Sequence, residues 1–499
     1  MRLQPTRLRC YGRARVSFDE MRRACAQYRA GGGLILPDLL RLAERVHQAG
    51  HQPDRGTVLV ATLEGDVHHI GASLLVALLR ASGYRVVDLG RQVPVEAIVE
   101  AAIAEHAEAV ALSALLISTS KQMPACVQAL DRRGVQVPVL LGGAAINRAF
   151  GRRAGVLPDG RVYAPGAFYC SDVFEGIATL EALREPRQRQ ALLDRLHAEI
   201  EAERVAGASA PAARGAGVAR PSQGAARRGD TSAARAGPDR TRAAQRAVDV
   251  PLPPYWGARR ITADLEAVWQ HLDRNTLFRH HWGAFRAKAQ DYERIVRERF
   301  EPRLAELQAE AARDGWLEAL IVSGYWPCRA QGDQLVILDP AQRECELTRL
   351  DFPRQPDGER LCLADFFRAG DPDDVVVFQA VSAGRRAAEQ VQALQRAGQY
   401  VRMLEVNGLA SATAEALAEY AHAQARAALG LPPTRSRRFS WGYQACPDLF
   451  EQRKVLPLLD AERSIGLRLS RSANLDPEHS TAAMVVHHPD VSYFAVRLP

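Results

Sequence analysis

At 499 residues, with 47% hydrophobic and 25% charged content, the chain is long enough for two or three globular domains with sizeable cores, which excludes a small stapled scaffold. Eight cysteines lie scattered at positions 10, 25, 126, 170, 328, 345, 362 and 446. With no CxxC or adjacent pair among them, neither a disulfide framework nor a local zinc site is indicated, and a reduced cytoplasmic setting is expected. The formal net charge of +7 suits an anionic partner, but much of the excess is arginine in a segment without aromatic residues to stack on bases, so nucleic acid is not expected as that partner.

The first fifteen residues hold five arginines, yet no apolar run follows them to form a signal-peptide core, and no stretch of eighteen apolar residues occurs anywhere; no membrane association is expected. Residues 1–52 predict two helices, Phe18 to Arg29 and Asp38 to Ala49. Over residues 53–190, Thr57 to Leu63, Tyr84 to Leu89, Ala109 to Ser113 and Pro138 to Leu141 read as strands separated by helix-compatible stretches. That alternation predicts an α/β domain with a doubly wound parallel sheet, whose ligands sit at the carboxyl ends of the strands. The loop after the first strand reads Gly65-Asp66-Val67-His68-His69-Ile70-Gly71. It offers an imidazole two residues from a carboxylate, the pairing that fixes the tautomer of a metal-binding histidine; taken alone, such a histidine is more often a solvated or capping residue.

Residues 191–250 are rich in Ala, Arg and Gly, and from Glu201 onward contain no aromatic, Leu, Ile or Met residue. Such a segment cannot offset its ordering entropy by burial and reads as a flexible linker. Residues 251–499 predict an α+β domain: a stiff entry at Pro251 to Pro254, helices near Ala263 to His271 and Arg286 to Arg313, the latter kinked or divided by Pro302, strands at Ala319 to Val322, Gln334 to Leu338 and Val375 to Ala380, and a helix from Ala412 to Leu429. The most unusual stretch is Arg438-Phe439-Ser440-Trp441-Gly442-Tyr443-Gln444-Ala445-Cys446-Pro447-Asp448. Its arginine fork suits a carboxylate, as on an amino acid, though the same residues also read as a plain structured loop. Nothing in the sequence places a base beside Cys446, which reads as a packed thiol.

Asp66-x-His68-x-x-Gly71 is followed, after forty-one residues, by Ser113-Ala114-Leu115 and, after twenty-six more, by Gly142-Gly143. In order and spacing this resembles the D-x-H-x-x-G, S-x-L, GG signature of the cobalamin-binding domain shared by methionine synthases, corrinoid carrier proteins and base-displacing mutases. The resemblance implies a flavodoxin/Rossmann-like fold, His68 as the axial ligand to the cobalt of cobalamin, and Asp66 as the partner of its second nitrogen. It places Thr119 where methionine synthases complete the relay with a serine. Gly71, Ser113, Leu115, Gly142 and Gly143 fall beside the cofactor and its nucleotide tail. Ile117 stands where many relatives carry threonine and His69 where an acid is common, so His69 is an alternative nitrogen source, but His68 alone keeps the Asp-x-His spacing and is the expected ligand.

The Arg438-x-x-x-Gly442-Tyr443-x-Ala445-Cys446-Pro447 segment resembles the loop of the methionine synthase activation domain that binds S-adenosylmethionine. Supporting matches run through Pro254 to Gly257, Leu272 to Phe278, Leu363 to Phe366, Glu415 to His422, Ser480-Thr481 and His488 to Asp490. The resemblance implies that Arg438 holds the carboxylate of S-adenosylmethionine, that Tyr443 and the backbone at Ala445 line the site, and that Glu415 and Asp273 contact the amino group. The implied function is a cobalamin-dependent methyltransferase of methionine biosynthesis, methylating cob(II)alamin reductively with S-adenosylmethionine to give methylcobalamin. The homocysteine module, with its zinc thiolates, and the folate barrel of roughly 250 residues find no counterpart in the 499 residues. Separate homocysteine- and folate-binding methyltransferase chains, and an acidic flavodoxin-like electron donor, are therefore the expected partners. The alternative is a non-catalytic cobalamin carrier or sensor that binds S-adenosylmethionine.

Overall fold

The computed structural model describes residues 17–29, 35–50, 52–208, 249–370 and 373–496. Five short strands, β1 (Thr57–Thr62), β2 (Arg85–Asp88), β3 (Ala109–Ser113), β4 (Val139–Gly142) and β5 (Ala167–Tyr169), form a wholly parallel sheet in the order β2-β1-β3-β4-β5. The apolar residues of β1, β3 and β4 are buried along almost their whole length, as expected of strands covered on both faces. One face is covered by α3 (Ile70–Ala81) and α8 (Val173–Arg184), the other by α4 (Val95–Ala104), α6 (Gln122–Arg132) and α7 (Arg148–Ala154), with a short helix α5 (Ile117–Ser120) leading into α6. Thr62, Ser113 and Gly142 stand opposite one another in the register, so three strand ends meet at one level of the sheet edge. The fifth strand, three residues long, is an addition to the four that the sequence predicts.

The two N-terminal helices form where expected, α1 at Phe18–Arg29 and α2 at Leu36–Gln48. Leu36, Leu39, Leu40, Ala43 and Val46 make one apolar stripe on α2, and it is buried against two partners. One is α3; the other is a long helix of the C-terminal half, α15 (Tyr400–Ala428), whose Tyr400, Val401 and Leu404 complete the same core. Asp38 accepts from Arg299 Nη2 at 2.8 Å, and Glu44 Oε1 accepts from the Val401 N–H at 2.9 Å. The N-terminal segment is thus a joint between the halves.

Helix α9 (Pro186–Ala208) corrects the linker boundary. Arg, Ala, Glu and Gln are good helix formers, and a composition too poor for a core of its own still supports a helix laid against α8. Of the expected linker, 191–208 is helical, 249–250 is the start of the next unit, and 209–248 lies outside the described residues.

The C-terminal unit contains β6 (Gly257–Ile261), α10 (Leu265–Trp269), α11 (Arg274–Thr276), α12 (Ala289–Ile295), α13 (Glu301–Asp314), β7 (Leu320–Gln331), β8 (Gln334–Leu338), β9 (Glu346–Asp351), β10 (Asp374–Ser382), α14 (Arg385–Arg396), α15, β11 (Arg437–Ser440), the small ribbon β12 (Arg468–Leu469) and β13 (Leu475–Asp476), and β14 (Ser480–Val486). Its seven-stranded antiparallel sheet runs β11-β14-β10-β7-β8-β9, with β6 also paired to β7. The expected 286–313 helix is α12, a π-helical turn at Val296–Phe300, and α13, which follow one another without a break, the π turn falling just before Pro302. Helix α15 begins twelve residues earlier than predicted. Buried Glu405 and Asn407 interrupt its apolar pattern, but each is satisfied, by Arg303 Nε at 2.7 Å and by the His479 ring at 3.1 Å. No helix of the described residues is long and apolar enough to cross a membrane.

Leu40 is fully buried in the α2 joint. Leu40→Ala is expected to cost about 2–5 kcal/mol in urea unfolding; a loss near zero would show that the joint does not contribute to stability.

Candidate functional site

The loop between β1 and α3 is organised by one carboxylate. Asp66 is fully buried. Its Oδ1 accepts from the His68 backbone N–H at 3.0 Å and lies 2.9 Å from His68 Nδ1. Its Oδ2 accepts from the Leu115 N–H at 2.6 Å and from Thr119 Oγ1 at 3.0 Å. Burial works to raise this carboxyl, but the His68 hydrogen bond and charge and the two backbone N–H groups outweigh it, and the group sits below its ordinary range. Burial likewise works to lower His68, and its bond to the Asp66 charge reverses the sign and raises it. His68 Nδ1 is thereby committed to Asp66, and among the described residues Nε2 has no hydrogen-bond partner.

His69 faces the other way. Its Nδ1 is 2.7 Å from Thr62 Oγ1 and its Nε2 3.3 Å from Asp88 Oδ1, so both nitrogens address the parallel-sheet domain. Asp88 also accepts from Gln395 Nε2 of α14 at 3.1 Å. The sequence favours His68 on the Asp-x-His spacing and keeps His69 as an alternative; the geometry leaves one outward nitrogen, on His68.

The remaining motif residues divide by what they touch. Ser113 ends β3 opposite Gly142. Leu115 contributes its backbone to Asp66 while its side chain is 41% exposed at the strand ends. A Cβ on Gly71 would meet no atom within 4 Å, so nothing in the chain itself demands glycine there. Gly143 has φ +128°, and a Cβ would fall 1.9 Å from the Ala114 carbonyl oxygen. The sequence reading gave this glycine pair to ligand approach; at Gly143 the close approach is between two loops of the protein, which L side chains would block. The Ile117 side chain lies outside the described residues.

Sequence reasoning missed the contribution of the C-terminal half to this loop. Asn474 Nδ2 donates to the Gly65 carbonyl, and a Cβ on Gly65 would collide with Ser472. Glu478 lies 3.8 Å from Arg91, and the charges of His68, Arg91 and His69 oppose the burial that raises its carboxyl. Positions separated by some four hundred residues carry no local signal of this proximity.

The second group of predicted residues gathers between α15 and β11. Glu415, Glu419 and His422 occupy one face of α15 at spacings of four and three. Arg438, on β11, points at them: Nη2 donates to Glu415 Oε2 at 3.0 Å and to Glu419 Oε1 at 2.9 Å, and Nη1 to Ser440 Oγ at 3.2 Å. Tyr443, half-exposed, lies within the electrostatic reach of Glu415 and Arg438. Ala445 is in the same turn but its side chain is buried in the core. Asp273 is occupied as the cap of α11, accepting from Thr276 N at 3.0 Å and Thr276 Oγ1 at 2.7 Å; its charge and that of Glu415 both act on His281. Cys446 is buried, its thiol pushed up to about 12 by burial and donating to the Ser440 carbonyl at 3.0 Å, which makes it a packed thiol.

The B12 binding domain model matches residues 56–162, the parallel sheet with the carboxylate-oriented histidine at its ligand edge. The vitamin B12 dependent methionine synthase activation domain model matches residues 309–498. The chain therefore carries the B12-binding and activation domains of methionine synthase, in that order. It is 32% identical to the methionine synthase of Mycobacterium tuberculosis (strain ATCC 25618 / H37Rv) over 93% of its own length and 42% of that protein's. It is 33% identical to that of Mycobacterium leprae (strain TN) over 89% and 39%. The chain spans about two fifths of the length of these relatives. A solved MetH reactivation domain bound to AdoHcy matches at a TM-score of 0.46 and 24% identity, over 50% of this chain and 84% of that one.

Asp66→Ala removes the acceptor of four groups at once and is expected to destabilise the parallel-sheet domain by roughly 1–3 kcal/mol, read by thermal unfolding. Asp66→Asn, which keeps one acceptor oxygen, is expected to lose less. Equal losses would mean that the network is not what Asp66 supports.

Proposed function

We propose that this chain binds cobalamin, whose cobalt His68 would hold, and supports its repair with S-adenosylmethionine, which Arg438 would hold. The observation that carries the first part is the division of the His68 ring: Nδ1 is taken by a buried carboxylate and Nε2 is left to bond outward, the state in which an imidazole ligates a metal. The open space at the Gly71 Cβ position fits a large group lying against the start of α3. Cobalamin, when bound, supplies the cobalt that accepts the methyl group.

The residues' own tasks follow from their contacts. Asp66 fixes the His68 tautomer and makes the ring more basic; Thr119 and the Leu115 N–H hold Asp66 in place. Ser113, Leu115 and Gly142 form the rim that would take the nucleotide tail, with Gly143 setting the rim's backbone. Arg438 binds the substrate carboxylate, Glu415 its amino group, and Tyr443 with the Ala445 turn covers the remainder. Asp273 is better supported as a helix cap than as an amine contact. Homocysteine- and folate-binding sites on partner chains, and a flavodoxin-like electron donor, complete the methyl cycle in this proposal.

The test is an absorption spectrum of the cobalamin-loaded protein, reduced by a one-electron donor with S-adenosylmethionine present. The wild type is expected to give methylcobalamin, Arg438→Ala to bind cobalamin and leave it unmethylated, and His68→Ala to lose the spectrum of a histidine-ligated cofactor. Cobalamin binding without methylation in the wild type would replace this reading by that of a carrier or sensor.

A further inference from the structure

Arg438 is a nearly buried cation, its side chain 11% exposed, facing two carboxylates. A buried guanidinium needs partners that hold its plane, and the two acids are not equivalent. Their exposure does not separate them, at 53% for Glu415 and 48% for Glu419. Their contacts do. Glu415 meets Arg438 through Nη2 alone. Glu419 meets both Nε, at 3.2 Å, and Nη2, at 2.9 Å. Its other oxygen stands 3.7 Å from Nδ1 of His422, a buried ring whose Nε2 is 2.9 Å from Oγ of buried Ser436.

Ser436, His422, Glu419 and Arg438 thus form a chain that ties α15 to the start of β11 from both ends. The His422 ring, together with Arg438, holds the Glu419 carboxyl down to about 2, so Glu419 stays an anion throughout the working range of pH. Charge balance points the same way. A zwitterionic amino-acid ligand brings one carboxylate and one ammonium. If its carboxylate takes the place of Glu415 on Arg438, Glu415 is left facing the ammonium and every charge keeps a partner. If it displaced Glu419, the His422 chain would be broken and Arg438 would lose the contact that orients its Nε edge.

We propose that Glu419, braced by His422 and Ser436, is a positioning residue that fixes the Arg438 guanidinium for the carboxylate of an amino-acid ligand. The proposal rests on the reading of Arg438 as the carboxylate site. It predicts an effect confined to ligands that carry the amino-acid moiety, because Glu419 acts only through Arg438.

The experiment is calorimetric titration of the full chain with S-adenosylhomocysteine, which has that moiety, and with methylthioadenosine, which lacks it. Glu419→Gln is expected to weaken S-adenosylhomocysteine roughly tenfold, the size of one charge-assisted contact, while leaving methylthioadenosine within about twofold. His422→Asn is expected to shift the same ligand in the same direction by less, and neither change should add to the loss caused by Arg438→Ala. Equal weakening of both ligands, or none of either, overturns the positioning role with the site reading intact. Failure of the wild type to bind S-adenosylhomocysteine overturns the site reading and this proposal with it.

Discussion

A carboxylate with no exposed surface is costly to bury unless its lone pairs are spoken for, and Asp66 is accommodated by four donors from three places in the chain. His68 supplies two of them from the same loop, Leu115 one from the end of β3, and Thr119 one from α5. The loop after β1 is therefore locked to the loop after β3, and the His68 ring is fixed in plane and tautomer by the same bonds. Removing a donor would leave the charge undercompensated; removing the charge would leave the donors stranded. The geometry of the site follows from the need to satisfy this one group.

That constraint explains which parts of the site were legible in the sequence. Asp66 and His68 are two residues apart, so their pairing is a property of the loop alone and spacing reveals it. Thr119 is found only through the resemblance, because its hydroxyl reaches Asp66 across fifty-three positions. The Leu115 N–H leaves no signature at all, since every residue other than proline has one. His69 lacks that spacing, but its inward orientation is not legible locally: Thr62 and Asp88, on the ends of two strands, turn it toward the sheet.

The fold shows a similar division. Long periodic elements such as α1, α2 and β8 were read almost to the residue. Errors fell where composition and context disagree. The three-residue β5 is too short to show a period, α9 shares the Ala- and Arg-rich composition of the sequence that follows it, and α15 hides its first turns behind polar residues that are buried and partnered. The contacts from Ser472, Asn474 and Glu478 to the His68 loop, and the joint made by α2, are tertiary facts with no local pattern. Ser472, Asn474 and Glu478 bring the C-terminal half to the edge of the sheet where His68 stands.

The central claim is that His68 Nε2 bonds to cobalt. It is tested most directly by electron paramagnetic resonance of the cobalt(II) form in protein grown with 15N-labelled histidine. The account predicts superhyperfine splitting by a single protein nitrogen, changing from triplets to doublets on labelling and absent in His68→Ala. Splitting that ignores the label, or that survives in His68→Ala, would contradict it.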